Sequence, residues 1–222
     1  MLPSLLLKEW LKLKRFFCAA LLLNFGICLK IFFDIRQQMH SEHAEMVWYQ
    51  AIHIHTVLYQ DIRYLPLITG LVLAAAQFVP EMLGRRLRLS LHLPASRDFM
   101  LFSFLLSGLL LYLLICVQNT VIVYLTLQNY FPVEVANSSL PTMFPWLLAG
   151  LLGYLGGVTV LLETHWPRRI FLLLIFSVLI TMLFSGIGYG WFTPAIPYLL
   201  LLFPMAFCSV FESARRFQER GV

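Results

Sequence analysis

Beyond Lys30 this 222-residue chain contains no lysine, and only 12% of its residues are charged. The first absence removes the phosphate-cradling loop Gly-x-x-x-x-Gly-Lys-Ser/Thr, so the chain carries no such ATPase of its own. The second removes the solvated surface of an ordinary soluble domain, which is about 25% charged. Cysteine is scarce too. Cys18, Cys28, Cys116 and Cys208 each lie inside an apolar run with no C-x-x-C partner, which supports neither a disulfide framework nor a zinc site. There is no zincin H-E-x-x-H, no G-x-S-x-G elbow and no pair of intramembrane aspartates, so the sequence predicts no catalytic residues. No internal repeat or low-complexity segment breaks the chain into parts, and it reads as one domain.

What is present is hydrophobic: 60% of the residues, with 15% aromatic. A helix needs about 20 apolar residues to cross a hydrocarbon core of about 30 Å. Six segments meet that length, at approximately 16–35, 63–80, 99–127, 144–162, 170–188 and 195–211. The third is long enough to tilt or project. The sixth contains Pro197 and Pro204 and is expected to kink. The first follows a basic stretch in the manner of a signal peptide, but no small-x-small cleavage site follows, so it reads as a retained span.

Basic residues give the direction. Lys8, Lys12, Lys14 and Arg15 precede span one; Arg85, Arg86, Arg88 and Arg97 lie between spans two and three; Arg168 and Arg169 lie between four and five; Arg215, Arg216 and Arg220 follow span six. With six spans, 13 of the 16 Lys and Arg fall on one side. By the positive-inside rule both termini are expected to be cytoplasmic. The outer connections are then 36–62, 128–143 and a short one near 189–194. Trp48, Trp146, Trp166 and Trp191 fall near interfaces, where amphipathic rings settle. The expected fold is an all-α polytopic membrane protein.

Two cytoplasmic pieces are amphipathic. In "LPSLLLKEWLKLKRFF", Leu6, Trp10 and Leu13 share one face and Lys8, Lys12 and Arg15 another, the pattern of an interfacial helix lying among anionic headgroups. In "PEMLGRRLRLSLHLPASRDF", Leu83, Leu87 and Leu91 recur at helical spacing beside Arg85, Arg86 and Arg88. Leu87, Leu89, Leu91 and Leu93 also alternate like a strand, but a lone strand on a membrane leaves its backbone unpaired, so a short helix is expected. Pro94 stops it, and Ser96 is placed to cap span three. A partner pushing on this insert would move two spans together; a basic loop that only sets topology is the plainer alternative.

Glu81, the basic leucine-rich run and "LHLPASRDFML" together resemble the permease subunits of ABC-2 type ATP-binding-cassette transporters. The amphipathic start, six spans and length agree with that family. The resemblance implies a multi-pass subunit of a bacterial-type inner membrane, paired with a second permease subunit and a dimer of separate cytoplasmic ATPases that hold the ATP and magnesium. It implies an exporter, with no nucleic-acid partner and no cofactor on this chain. Glu81, Arg85, Arg86, Leu87, Arg88, Leu91, Pro94 and Arg97 would form the coupling helix and its contacts with the ATPase or the N-terminal helix. The short connection between spans five and six departs from many members.

Other polar residues invite weaker readings. His40, His43, His53 and His55, with Glu42 and Glu45, crowd the first outer connection, and imidazole plus carboxylate suits a metal or haem. A solvated polar loop is the plainer reading. Asn24, Gln77, Gln118, Asn119 and Thr120 fall in or near the hydrocarbon; Gln118 and Asn119 either line a substrate path or bond helix to helix. Gly153 and Gly157 predict close helix packing, within the chain or between two copies. A membrane-embedded haem or metal protein and a non-transporting assembly factor stand as alternative functions.

Overall fold

The computed structural model of the protein describes residues 2–41, 44–54, 56–83, 97–186 and 188–219. Among these, the chain is helical with no strand. The helices are α1 (Leu2–Ser41), α2 (Ala44–Ile52), α3 (Leu65–Leu83), α4 (Arg97–Tyr130), α5 (Val133–Leu162), α6 (Trp166–Phe184), α7 (Ile196–Leu200) and α8 (Leu202–Glu219). Six stretches are long and apolar enough to span a membrane: Leu7–Ser41, Gln60–Met82, Phe99–Tyr130, Val133–Leu162, Trp166–Phe184 and Thr193–Arg216. Each expected span lies largely within one of them.

The first span differs from expectation at its start. No break separates an interfacial helix from span one; Leu2–Ser41 is a single helix of 40 residues. The reason is a buried stripe that begins early. Glu9, Leu13, Phe17, Ala20, Asn24, Cys28, Ile31 and Ile35 recur every three or four residues and are all buried. Of the apolar face read from the sequence, Leu13 is fully buried but Trp10 is 44% exposed, and Glu9 takes an inward position beside Leu13.

The second outer connection is also shorter than its sequence suggested. Residues 128–143 are mostly helical, and only Phe131 and Pro132 separate α4 from α5. Span six is interrupted at Leu201 between α7 and α8. Pro204 has no N–H to return to the carbonyl four residues earlier, so the ladder cannot run through this point.

α5 is the most buried span and forms the centre of the bundle, touching α3, α4, α6 and α8. α1 packs on α3 and α4, while α6 and span six are the least covered. The α3–α5 contact depends on missing side chains. A Cβ at Gly70 would stand 2.1 Å from the Gly150 carbonyl oxygen, and one at Gly150 would stand 2.3 Å from that of Pro66. Gly153 faces Leu67 and Gly157 faces Ala74. This glycine surface is therefore occupied within the chain, against α3, and Gly156 faces Phe176 of α6.

At the end of the bundle where α1 finishes, Tyr59 is buried 5.9 Å from the Trp146 ring and 6.4 Å from that of Tyr189. The Tyr189 hydroxyl donates to the Thr56 carbonyl at 3.0 Å, and the Gly190 N–H donates to Thr142 Oγ1 at 2.9 Å. Loss of water pushes the Tyr189 phenol up to about 12. The Arg63 guanidinium donates to the Phe184 carbonyl and lies over the Tyr64 and Phe184 rings. Gly188 and Gly190 have positive φ, which gives this short turn its shape.

The close approach of α3 and α5 gives a direct test. Gly70→Ala forces the two backbones apart and is expected to cost about 1–3 kcal/mol, seen as a lower thermal midpoint in detergent micelles. Gly26→Ala, whose new Cβ meets nothing within 4 Å among the described residues beyond its own helix backbone, is expected to leave the midpoint unchanged or slightly raised. Equal midpoints for the two variants would contradict this packing.

Candidate functional site

Near the end of the bundle where α1 begins, four helices bring ionic and polar side chains into contact. Glu9 and Lys12 come from α1, Gln77 and Glu81 from α3, Ser107 from α4 and Tyr154 from α5. Glu9 is 1% exposed and Glu81 is 4% exposed, so both carboxylates have lost nearly all their water. Lys12 lies between them. Its Nζ donates to Glu9 Oε1 at 3.0 Å and to Glu81 Oε1 at 3.1 Å. Lys8 adds a looser ion pair to Glu81 at 3.7 Å, from a side chain that is 48% exposed.

Gln77 completes the cluster. Its Nε2 donates to Glu9 Oε2 at 3.0 Å, to the Phe104 carbonyl at 2.7 Å and lies 3.2 Å from Ser107 Oγ. Its Oε1 accepts from the Tyr154 hydroxyl at 2.8 Å. The room comes from Gly108, where a Cβ would meet Tyr154 Oη at 2.1 Å and Gln77 Oε1 at 2.4 Å. The amide thus reads a carboxylate on one side and a phenol on the other. Glu81 Oε2 is buried with no hydrogen-bond partner among the described residues. So is Glu163 Oε2, on the residue that caps α5; its Oε1 accepts the His165 N–H at 3.3 Å.

The geometry is that of a fastening. Removing two carboxylates from water is costly unless cations and donors replace it. Lys12 and Gln77 do so only when α1, α3 and α4 stand together. Two carboxylates and two lysines leave the group balanced in formal charge.

A second buried group lies deeper along α1. Asn119 Nδ2 donates to Asn24 Oδ1 at 2.7 Å, and Asn24 Nδ2 returns to the Ala20 carbonyl at 2.7 Å. Cys28 Sγ is 3.6 Å from Asn119 Oδ1. Asn119 is fully buried and its amide is engaged between α4 and α1. Gln118 is partly buried, and its Nε2 has no partner among the described residues.

The remaining sequence candidates fall as follows. Arg85, Arg86, Leu87, Arg88, Leu91 and Pro94 lie outside the described residues, and Arg97 is the first residue of α4. His43 and His55 also lie outside them. His40 is exposed near the end of α1, and His53 follows α2 with its ring 5.0 Å from Tyr49. Among the described residues no three His, Cys, Asp or Glu side chains are grouped to hold a metal ion. Sequence reasoning picked out Glu81 and Gln77 but passed over Glu9 and Tyr154. Glu9 had a signal: it is the one acid in a stretch that otherwise carries four bases. Tyr154 had none beyond its place in a glycine-rich helix.

Comparison with protein-family models, curated proteins and solved structures finds no match to this chain.

The two lysines separate by substitution. Lys12→Met leaves two buried carboxylates without their shared cation and is expected to cost about 3–5 kcal/mol. Lys8→Met, at the half-exposed pair, is expected to cost less than about 1 kcal/mol. Thermal unfolding of both variants in the same detergent checks this; similar losses would contradict a cluster centred on Lys12.

Proposed function

We propose that this chain is the membrane-spanning permease subunit of an ABC-2 type transporter, driven by a separate cytoplasmic ATPase. What supports this reading is the position of the ionic cluster. Glu81 stands in the last turn of α3, and the basic stretch 84–97 leads from there to α4. A force applied to that stretch reaches α3 and α4 directly. Through Glu81, Lys12 and Glu9 it reaches α1, and through Gln77 and Tyr154 it reaches α5. These are contacts near 3 Å between buried and part-buried groups, so one helix cannot shift far without moving the others or breaking ion pairs.

Several further points belong to the same reading. The excess of Lys and Arg on one side puts both termini and residues 84–97 in the cytoplasm of a bacterial-type inner membrane. There the segment that the sequence leads us to expect as a short helix serves for coupling, seated on an ATPase subunit through Arg85, Arg86 and Arg88. ATP and magnesium are bound by that partner. Two permease subunits pair, and alternating access between them moves the substrate. Export is the direction that the family resemblance implies.

Docking and coupling are separable. Replacing Arg85, Arg86 and Arg88 with Glu is expected to abolish co-purification with the ATPase while membrane insertion is unchanged; retained co-purification would contradict the docking role. Glu81→Gln is expected to keep the ATPase bound but to remove the effect of the membrane subunit on its rate of ATP hydrolysis. An unchanged effect would place the transmission elsewhere.

A further inference from the structure

Toward its other end, α1 presents a different chemistry. Phe33, Arg36, Gln37 and His40 fall at i, i+3, i+4 and i+7, on one side of the helix. With Tyr130, the last residue of α4, they line an open cleft of about 640 Å³. The cleft joins two aromatic rings to a guanidinium, an amide and an imidazole.

Among the described residues its charge has no ion-pair partner. The nearby carboxylate of Asp34 faces Lys30 at 3.7 Å, and Lys30 also holds Asp61. No carboxylate among the described residues comes within ion-pair distance of Arg36. The last carbonyls of α1 carry partial negative charge, but that field fades within the final turn, and Arg36 stands five residues before Ser41.

Depth along the helix narrows the ligand. Glu9 to Arg36 spans about 40 Å at 1.5 Å per residue. A bilayer with its headgroups is about 40–45 Å thick. With the Glu9 cluster near one membrane surface, Arg36 stands at the headgroup level of the other. Phe33 lies about one turn closer to the middle, at the depth of the first acyl carbons, and is exposed there.

We propose that this cleft is a binding site for the phosphate-bearing headgroup of an anionic phospholipid. The planar Arg36 fork donates to phosphate oxygens, as guanidinium does with this geometry. Gln37 and His40 supply further donors, and the acyl chain runs against Phe33 and Tyr130. A lone arginine at a membrane surface meets any lipid phosphate. A cleft with positive charge and, among the described residues, no acidic partner disfavours a headgroup that brings its own cation, and so selects net anionic lipids over zwitterionic ones.

The test is native mass spectrometry of the full-length protein released from detergent micelles. The probes are phosphatidylglycerol, phosphatidylcholine with the same acyl chains, and inorganic phosphate. The first phosphatidylglycerol adduct is expected to be favoured over phosphatidylcholine by about fivefold, the effect of one interfacial cation. Arg36→Gln, at an exposed position, is expected to reduce that preference to none. Lys14→Gln with Arg15→Gln, exposed bases near the opposite end of α1, is expected to leave it in place. Inorganic phosphate in excess is expected not to displace the lipid. A preference that survives Arg36→Gln, or that the Lys14 and Arg15 changes abolish, would overturn the site. Displacement by inorganic phosphate would overturn the lipid as its ligand.

Discussion

Two carboxylates that lose nearly all their water need a cation and donors in their place, and in this protein Lys12 and Gln77 take that role for Glu9 and Glu81. The constraint has structural consequences well beyond the contact itself. Lys12 cannot serve both acids unless the beginning of α1 stands upright against the end of α3. Gln77 cannot satisfy Glu9 and the Phe104 carbonyl unless α4 is in place. Tyr154 fixes the far side of that amide from α5. A six-span bundle whose outer helices are thinly covered is thereby tied together near one end by a few short polar contacts. The Asn24–Asn119 pair repeats the device deeper in the bundle.

Close packing makes this possible. Gly108 leaves space for the Tyr154 hydroxyl and the Gln77 amide to meet, and Gly70 and Gly150 let α3 and α5 touch backbone to backbone. In lipid there is little hydrophobic drive between helices, so such small-residue contacts and buried hydrogen bonds carry much of the association. The two ends of α1 then have different roles. One is fastened by ion pairs inside the protein, and the other offers Arg36 to the surroundings.

Much of the architecture was legible in the sequence, because span length and hydropathy are set by the bilayer and leave a strong signal. All six spans were placed this way, and the break near Pro204 followed from its missing N–H. The fastening was legible only in part. Glu81 and the lysines could be named, but the continuous α1 could not, because Lys8, Lys12 and Arg15 fit a helix lying among headgroups equally well. What decides between the two is whether Glu9 finds partners on another helix, and a periodic pattern along one segment cannot show that. Residues 128–143 were read as a connection because polar residues such as Gln128, Asn129, Asn137 and Ser138 break up the apolar run; they are helical because α4 and α5 extend past the apolar stretch. The destination of Gly153 and Gly157 was ambiguous for the same reason, since a small-residue face does not name its partner.

An upright, unbroken α1 is what the ionic cluster requires, and its length can be measured directly. Spin labels at positions 7 and 29, both exposed, report the end-to-end distance by pulsed electron resonance in lipid nanodiscs. A continuous helix places them about 33 Å apart, at 1.5 Å per residue over 22 residues. A helix that turns at a right angle near residue 15 to lie on the membrane would bring them to about 24 Å. The longer distance is the expected result, and the shorter one would contradict the clustering of Glu9, Lys12 and Glu81.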